Sequence, residues 1–249
     1  MKIIFLGTGT STGVPLIGCE CAVCRSENEK DKRLRASILV TNENARLLID
    51  CGPDLRQQLL RTGTKEIDGI LITHEHYDHI GGLDDVRPLG ECNVYAEKRV
   101  LGVIRSNLHY AFSDHPYPGV PTIHLHEINE KDDFNVCGTV VKPLRVMHAK
   151  LPVLGFRIAN VAYLTDVKTI SNQTIEQLKG LDVLILNALR INEHISHISL
   201  SEAIGIATQI GATRTYFTHF SHDLGMHNEV QKTLPENMFL SYDHLELTL

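Results

Sequence analysis

The stretch Thr73-His74-Glu75-His76-Tyr77-Asp78-His79 follows directly on the apolar run Gly69-Ile70-Leu71-Ile72. Three imidazoles and a carboxylate at the end of a buried strand need partners, because polar groups left unpaired in a core cost several kcal/mol. A divalent cation supplies those partners, taking neutral imidazole nitrogens and carboxylate oxygens. A turn of six residues does not wrap all four donors round one ion. Two ions about 3.5–4 Å apart share them, and such pairs carry out hydrolytic chemistry.

A paired site needs donors from elsewhere, and they occur at matching places. His148 ends Leu144-Arg145-Val146-Met147-His148, Asp166 ends Ala162-Tyr163-Leu164-Thr165-Asp166, and His219 ends Thr215-Tyr216-Phe217-Thr218-His219. Each falls in phase with the residues two and four places before it, Val146 and Leu144, Leu164 and Ala162, Phe217 and Thr215, as a strand-end side chain does. Strand-end loops converge on one edge of a sheet and build sites there. A total of 14 His fits this consumption of imidazole.

Elsewhere along the chain, short apolar runs recur at 2–6, 37–40, 46–49, 69–72, 140–146, 155–158, 161–164, 183–186 and 213–217, several bounded by Gly, Asn or Pro as strands are. Residues 38–41 and 46–49, joined by 42–45, read as a hairpin. Asp54 is placed to cap a helix over 55–62 that Gly63 ends, and Ser199-Leu200-Ser201-Glu202 has capping-box spacing before a further helix. The pattern is that of a layered α/β protein with mixed sheets. With no linker, repeat or low-complexity tract, residues 1–249 read as a single domain, and the aromatic, Pro-rich segment 109–121 as its most loop-like part, a lid or contact surface. Gly7-Thr8-Gly9-Thr10-Ser11-Thr12-Gly13 lacks dinucleotide-loop spacing and reads as a tight turn under the active edge.

A hydrophobic share of 43% and 22% charged residues exclude disordered, collagenous and coiled-coil classes. A formal charge of −6 argues against broad contact with a phosphate backbone, so nucleic acid is not expected as a partner. No apolar run approaches the length of a membrane span, and the start lacks a signal-peptide pattern, so a cytoplasmic location without membrane contact is expected. In a reducing compartment the crowding of Cys19, Cys21 and Cys24, in a Cys-rich loop at 18–25, points to metal or redox use rather than disulfides. Three thiolates suit tetrahedral zinc but lack a fourth ligand, for which His222 is the candidate. Cys51, Cys92 and Cys137 are isolated and read as small buried residues.

The HxHxDH pattern, here His74, His76, Asp78 and His79, followed by His148, Asp166 and His219 in order, resembles the metallo-β-lactamase superfamily of dinuclear hydrolases. That resemblance implies an αββα sandwich of two mixed β-sheets flanked by helices, with metals at one edge. It implies one metal on His74, His76 and His148, the other on Asp78, His79 and His219, and Asp166 bridging, the two ions being zinc or manganese. Thr218-His219-Phe220-Ser221, the carboxylate after Thr165, and His197 before a helix are similar to the phosphodiesterase branch, which includes tRNase Z and the PhnP-type cyclic phosphodiesterases. The Cys cluster with His222 resembles the Cys₃His structural zinc of the PhnP type.

The same resemblance implies a metal-dependent phosphodiesterase acting on a small phosphodiester, such as a phosphoribosyl cyclic phosphate, and a homodimer. Asp78 and His197 are the catalytic candidates: Asp78 to orient the hydroxide, and His197, expected near a helix N-terminus, to donate to a phosphate oxygen or leaving group. An RNA-processing endonuclease like tRNase Z, a lactone or thioester metallohydrolase, and a metal-binding protein without catalysis are the alternatives. Asp50 reads as a structural turn residue bonding near the ligands. Asn187-Ala188-Leu189-Arg190 and His244 depart from the PhnP pattern on segments expected to face the pocket.

Overall fold

A computed structural model describes residues 1–115 and 117–249, and Pro116 of the 109–121 segment lies outside the described residues. The strands are β1 (Lys2–Gly7), β2 (Ser37–Thr41), β3 (Arg46–Ile49), β4 (Gly69–Leu71), β5 (Glu91–Ala96), β6 (Thr122–Glu127), β7 (Phe134–Val136), β8 (Thr139–His148), β9 (Leu151–Ile158), β10 (Val161–Leu164), β11 (Thr169–Ile170), β12 (Val183–Asn187), β13 (Arg214–Thr218), β14 (Met238–Leu240) and β15 (Glu246–Thr248). The helices are α1 (Leu55–Thr62), α2 (Tyr77–Ile80), α3 (Lys98–Asn107), α4 (Asn172–Gln177), α5 (Leu200–Ile210) and α6 (His227–Gln231).

Two mixed sheets result, ordered β15-β1-β2-β3-β4-β5-β6 and β11-β8-β9-β10-β12-β13-β14, with β7 also on β8. Central strands read as unbroken apolar runs because both faces are covered. In β1, Ile3 and Phe5 face the core between the sheets, while Ile4 and Leu6 face α1 and α3. In β10 and β12, Val161, Tyr163, Val183 and Ile185 face inward, and Ala162, Leu164, Leu184 and Leu186 pack under the helices of the second sheet. The architecture is the αββα sandwich expected from sequence. No helix among the described residues is long and apolar enough to cross a membrane.

Thr41 pairs with Arg46 in the expected hairpin. The capping box is complete: Ser199 Oγ accepts from Glu202 N and Glu202 reaches back to Ser199 N. At α1, Gly63 stops the helix in the left-handed conformation (φ 64°), but Asp54 does not cap it. Its carboxylate is taken by Arg35, through the backbone N at 2.8 Å and Nη1 at 2.9 Å. Cys51 and Cys92 are buried as expected, whereas Cys137 is exposed. Cys137 and Gly138 form a two-residue turn between paired Val136 and Thr139, both with positive φ, and such a turn points outward.

The parallel strands β3, β4, β10, β12 and β13 share a direction within each sheet, so their carboxyl ends gather at one rim. Open α/β sheets place their ligand sites at such ends. The capping box holds the helix that follows the rim loop 188–198. Replacing Ser199 by Ala is expected to cost about 1 kcal/mol, measured as a shift of the urea midpoint.

Candidate metal centre

The rim carries Asp50 after β3, residues 74–79 after β4, His148 at the end of β8, Asp166 after β10 and His219 after β13. Strand phase alone does not aim them. Asp50, Asp166 and His219 adopt φ of 64°, 55° and 60°, a region non-glycine residues enter only when surroundings hold them there. The left-handed step takes Asp166 and His219 out of the alternation that leads Leu164 and Phe217 under the helices. Gly52 allows the loop at 74–79 to close against β3, since a Cβ there would lie 2.1 Å from Asp78 O.

The predicted donors come together. Ligand atoms of Asp78, His79 and His219 lie within 4.8 Å of one another, as do those of His76, His148 and Asp166, and those of His74, His79 and Asp166. His79 Nε2 is 3.1 Å from Asp78 Oδ2 and 3.2 Å from Asp166 Oδ2, and His219 Nε2 is 3.2 Å from Asp166 Oδ2. Two ligand atoms each about 2.0–2.1 Å from one tetrahedral ion stand about 3.3 Å apart.

Outward hydrogen bonds fix the tautomers. His79 Nδ1 donates to Asp50 Oδ2 at 2.7 Å, and His148 Nδ1 donates to the Ser196 carbonyl at 2.8 Å. Thr73 Oγ1 spends its proton on Asp50, so His74 Nδ1 donates to Thr73 Oγ1 at 3.0 Å. Nε2 of all three rings therefore turns inward, the arrangement outer partners impose on metal-binding histidines. His74 Nε2 faces His76 Nδ1 at 2.9 Å. His79 Nε2 and both ring nitrogens of His219 are buried without hydrogen-bond partners. Buried polar atoms of this kind want a cation, so the residues fit divalent metals.

The electrostatics agree. Burial pushes the His74 pKa well below normal, with His79 adding to the effect, whereas Asp50, Asp78 and Asp166 overcome burial and push that of His79 well above normal. Burial works against the charge of Asp166, but His219, His79 and His74 overcome it and hold the carboxyl well below its usual range. Asp78 is lowered against burial by His79 and His219.

His197 stands at the edge of this cluster, 8% exposed, with Nε2 3.7 Å from Asp166 Oδ1 and its ring 4.5 Å from that of His148. Burial lowers its pKa to about 3. The N-terminus of α5 gives it little help with an anion. Leu200 N is bonded to Arg190 O, and Ser199 N and Glu202 N are used in the capping box. Asn187 does not face the pocket either: its amide accepts from Val167 N at 2.8 Å and donates to Val167 O at 3.2 Å, holding the turn that carries Asp166. His244 lines a separate cavity with Arg61 and Asp243. Gly9 and Thr10 pair with Phe220, so the Gly-rich turn braces the residue after His219.

The second cluster lies beside the first. Ligand atoms of Cys19, Cys21, Cys24 and His222 fall within 4.8 Å of one another. Both Cys19 Sγ and Cys21 Sγ are 3.4 Å from His222 Nδ1, against about 3.5 Å expected across a tetrahedral zinc from standard bond lengths. A bond from Cys24 N, then one from His222, lowers the Cys21 pKa to about 6, while burial raises that of Cys24 to about 11. His222 comes three positions after His219, so this cluster ties the loop at 18–25 to the strand end that carries a rim donor.

A family model described as a Beta-lactamase superfamily domain matches residues 45–220. The chain is 47% identical over 251 residues to an octanoyltransferase of Porphyromonas gingivalis, covering 99% of this chain and 51% of that protein. The crystal structure of a diphosphatase from the PhnP family is 39% identical, with a TM-score of 0.93, covering 100% of this chain and 97% of that one. Zn(2+)-bound PqqB from Methylobacterium extorquens shares the fold at 19% identity, with a TM-score of 0.83 and 100% of both chains covered. The chain belongs to the metallo-β-lactamase superfamily of hydrolases, in its PhnP family. It spans about half the length, or less, of the curated relatives it matches.

Sequence reasoning did not reach the Ser196 carbonyl, which as a backbone group leaves no sequence signal, nor the structural use of Asn187, although its place at the end of an apolar strand was visible. Asn187→Ala strips two buried partners from Val167 and is expected to cost roughly 3 kcal/mol in urea unfolding. Cys21→Ser is expected to lower the thermal midpoint and remove one metal equivalent per chain by elemental analysis.

Proposed function

We propose that this protein is a metal-dependent hydrolase that cleaves a P–O bond in a small phosphodiester, cyclic diesters included. The observation that carries the reading is the position of Asp166: donors of both sets reach its two oxygens, His74 and His197 on the Oδ1 side and His79 and His219 on the Oδ2 side. His74, His76 and His148 would hold one ion, Asp78, His79 and His219 the other, with Asp166 between them. Divalent ions bound in such a site supply Lewis acidity towards a phosphoryl oxygen and towards water. A third metal, zinc, would sit on Cys19, Cys21, Cys24 and His222.

The chain's own groups do the rest. Asp50, Thr73 and the Ser196 carbonyl hold the imidazoles so that no reorganisation is needed when charge develops. Asp78, anchored between His79 and His219, orients the attacking water. His197 turns Nε2 towards the cluster, 3.7 Å from Asp166 Oδ1, and from there it would present a hydrogen bond to a phosphate oxygen or the leaving oxygen.

Likeness over the whole chain to the PhnP-family diphosphatase supports cleavage at phosphorus and favours a phosphoanhydride as the second substrate class. The octanoyltransferase name belongs to a protein of which this chain matches 51%, and a carboxylate–imidazole cluster suits hydrolysis better than acyl transfer. The net charge of −6 weighs against an RNA substrate.

Elemental analysis is expected to give about three metals per chain. With zinc or manganese supplied, the protein is expected to turn over bis(p-nitrophenyl) phosphate. Cleavage of a lactone or thioester with the diester untouched would refute the reading. His197→Ala is expected to keep the metal count while lowering turnover by roughly a hundredfold or more. Loss of a metal in that variant would make His197 a ligand instead.

A further inference from the structure

The donors that would share the His76–His148 position come from different sheets. His76 lies in the loop after β4 of the first sheet, and His148 ends β8 of the second. His74, His79 and Asp166 are buried and held by packing, but His76 is exposed. On its far side, α2 fixes the backbone through His79 N to His76 O at 2.9 Å. What holds the near side is Glu75.

Glu75 forms an ion pair with Arg99, the second residue of α3. The same guanidinium donates from Nη2 to the Pro152 carbonyl at 2.8 Å, in β9. Pro152 pairs with Met147, and the next rung of that ladder is His148 with Leu151. One side chain therefore bonds both the residue before His76 and the rung beside His148. Arg145 repeats the crossing from the other sheet: it lies on β8 and pairs with Glu97, just ahead of α3, and with Glu130 at 2.8 Å. Glu75, Arg99, Glu97, Arg145 and Glu130 form an alternating series of charges across the seam. The pairs are partly shielded, with Glu75 and Glu97 side chains 19% and 17% exposed, which sets them apart from surface pairs of little worth. A backbone bond from Leu154 N to Thr73 O at 3.1 Å runs beside them.

We propose that Arg99 is a positioning residue for the metal centre: through Glu75 and the Pro152 carbonyl it holds the His76 ring against that of His148, now 5.2 Å away at near right angles, and so sets the affinity of the metal position those two histidines share. The cysteine cluster and the set Asp78, His79 and His219 do not depend on it. This inference rests on the metal-dependent reading above.

The test measures metal retention, not turnover alone. Wild-type protein, Arg99→Gln, Arg99→Lys and Glu75→Gln are loaded with zinc, dialysed against graded chelator, and analysed for metal per chain. Arg99→Gln and Glu75→Gln are expected to release one equivalent at roughly tenfold lower chelator than wild type, the usual scale for losing an outer partner. The other equivalents stay. Arg99→Lys keeps the charge but not the fork, so it falls between. Molar salt, with a screening length of about 3 Å, moves wild type towards Arg99→Gln.

The thermal midpoint of the metal-free protein separates positioning from general support. It is expected to move by no more than a few degrees in these variants. Equal retention by wild type and Arg99→Gln overturns the proposal, and so does a loss of all equivalents in step with a fall in that midpoint. Wild type that holds metal only at the cysteine cluster overturns the metal-dependent reading itself, and with it this inference.

Discussion

Everything at the rim depends on burying Asp166 among imidazoles. A carboxylate at 2% exposure is tolerated in a low-dielectric interior only if positive charge is brought to it. His74, His79, His197 and His219 surround it: the first two are turned by outward acceptors so that Nε2 faces it, while both ring nitrogens of His219 are buried without a partner. Without metal the histidines carry that charge, His79 above all; with divalent ions bound, the ions would carry it instead. On the function proposed above, the Lewis acidity of ions that satisfy the carboxylate would also act on a phosphoryl oxygen.

The cost of such a cluster is met by the sandwich. Three apolar layers, one between the sheets and one under each set of helices, fix the strand ends so firmly that Asp50, Asp166 and His219 keep left-handed backbones. Where packing thins out at the surface, around His76 and the loop at 18–25, ion pairs and a sulfur–imidazole cluster take over. The molecule therefore uses apolar packing to aim the buried donors and polar contacts to hold the exposed ones.

Much of the fold was legible in the residues. Strands β3 and β10 have the ends their apolar runs imply, and the hairpin of β2 and β3 closes in the register the sequence suggests. Others were not legible. Strand β6 reads Thr-Ile-His-Leu-His-Glu, with polar residues on an exposed face at the edge of its sheet, so it lacks the continuous apolar run that marked the central strands. The short β11, β14 and β15 exist only because a neighbouring strand offers a ladder. Asp54 had the right type and place to cap α1, but Arg35, far off in the chain, competes for its carboxylate.

The chain's order of residues determined which chemistry is present: imidazoles and carboxylates at strand ends and thiols crowded in one loop, in the spacing of a known superfamily. That information is local, since the rim donors are marked by the apolar runs before them and the thiols by their crowding. Only the tertiary structure decided how those donors are used. Which nitrogen of His148 faces inward depends on the Ser196 carbonyl, the turn of Asp166 on Asn187, and the approach of His76 to His148 on Arg99. These are contacts between segments tens of residues apart, involving backbone groups and shared side chains, and such contacts exist only once the two sheets have packed.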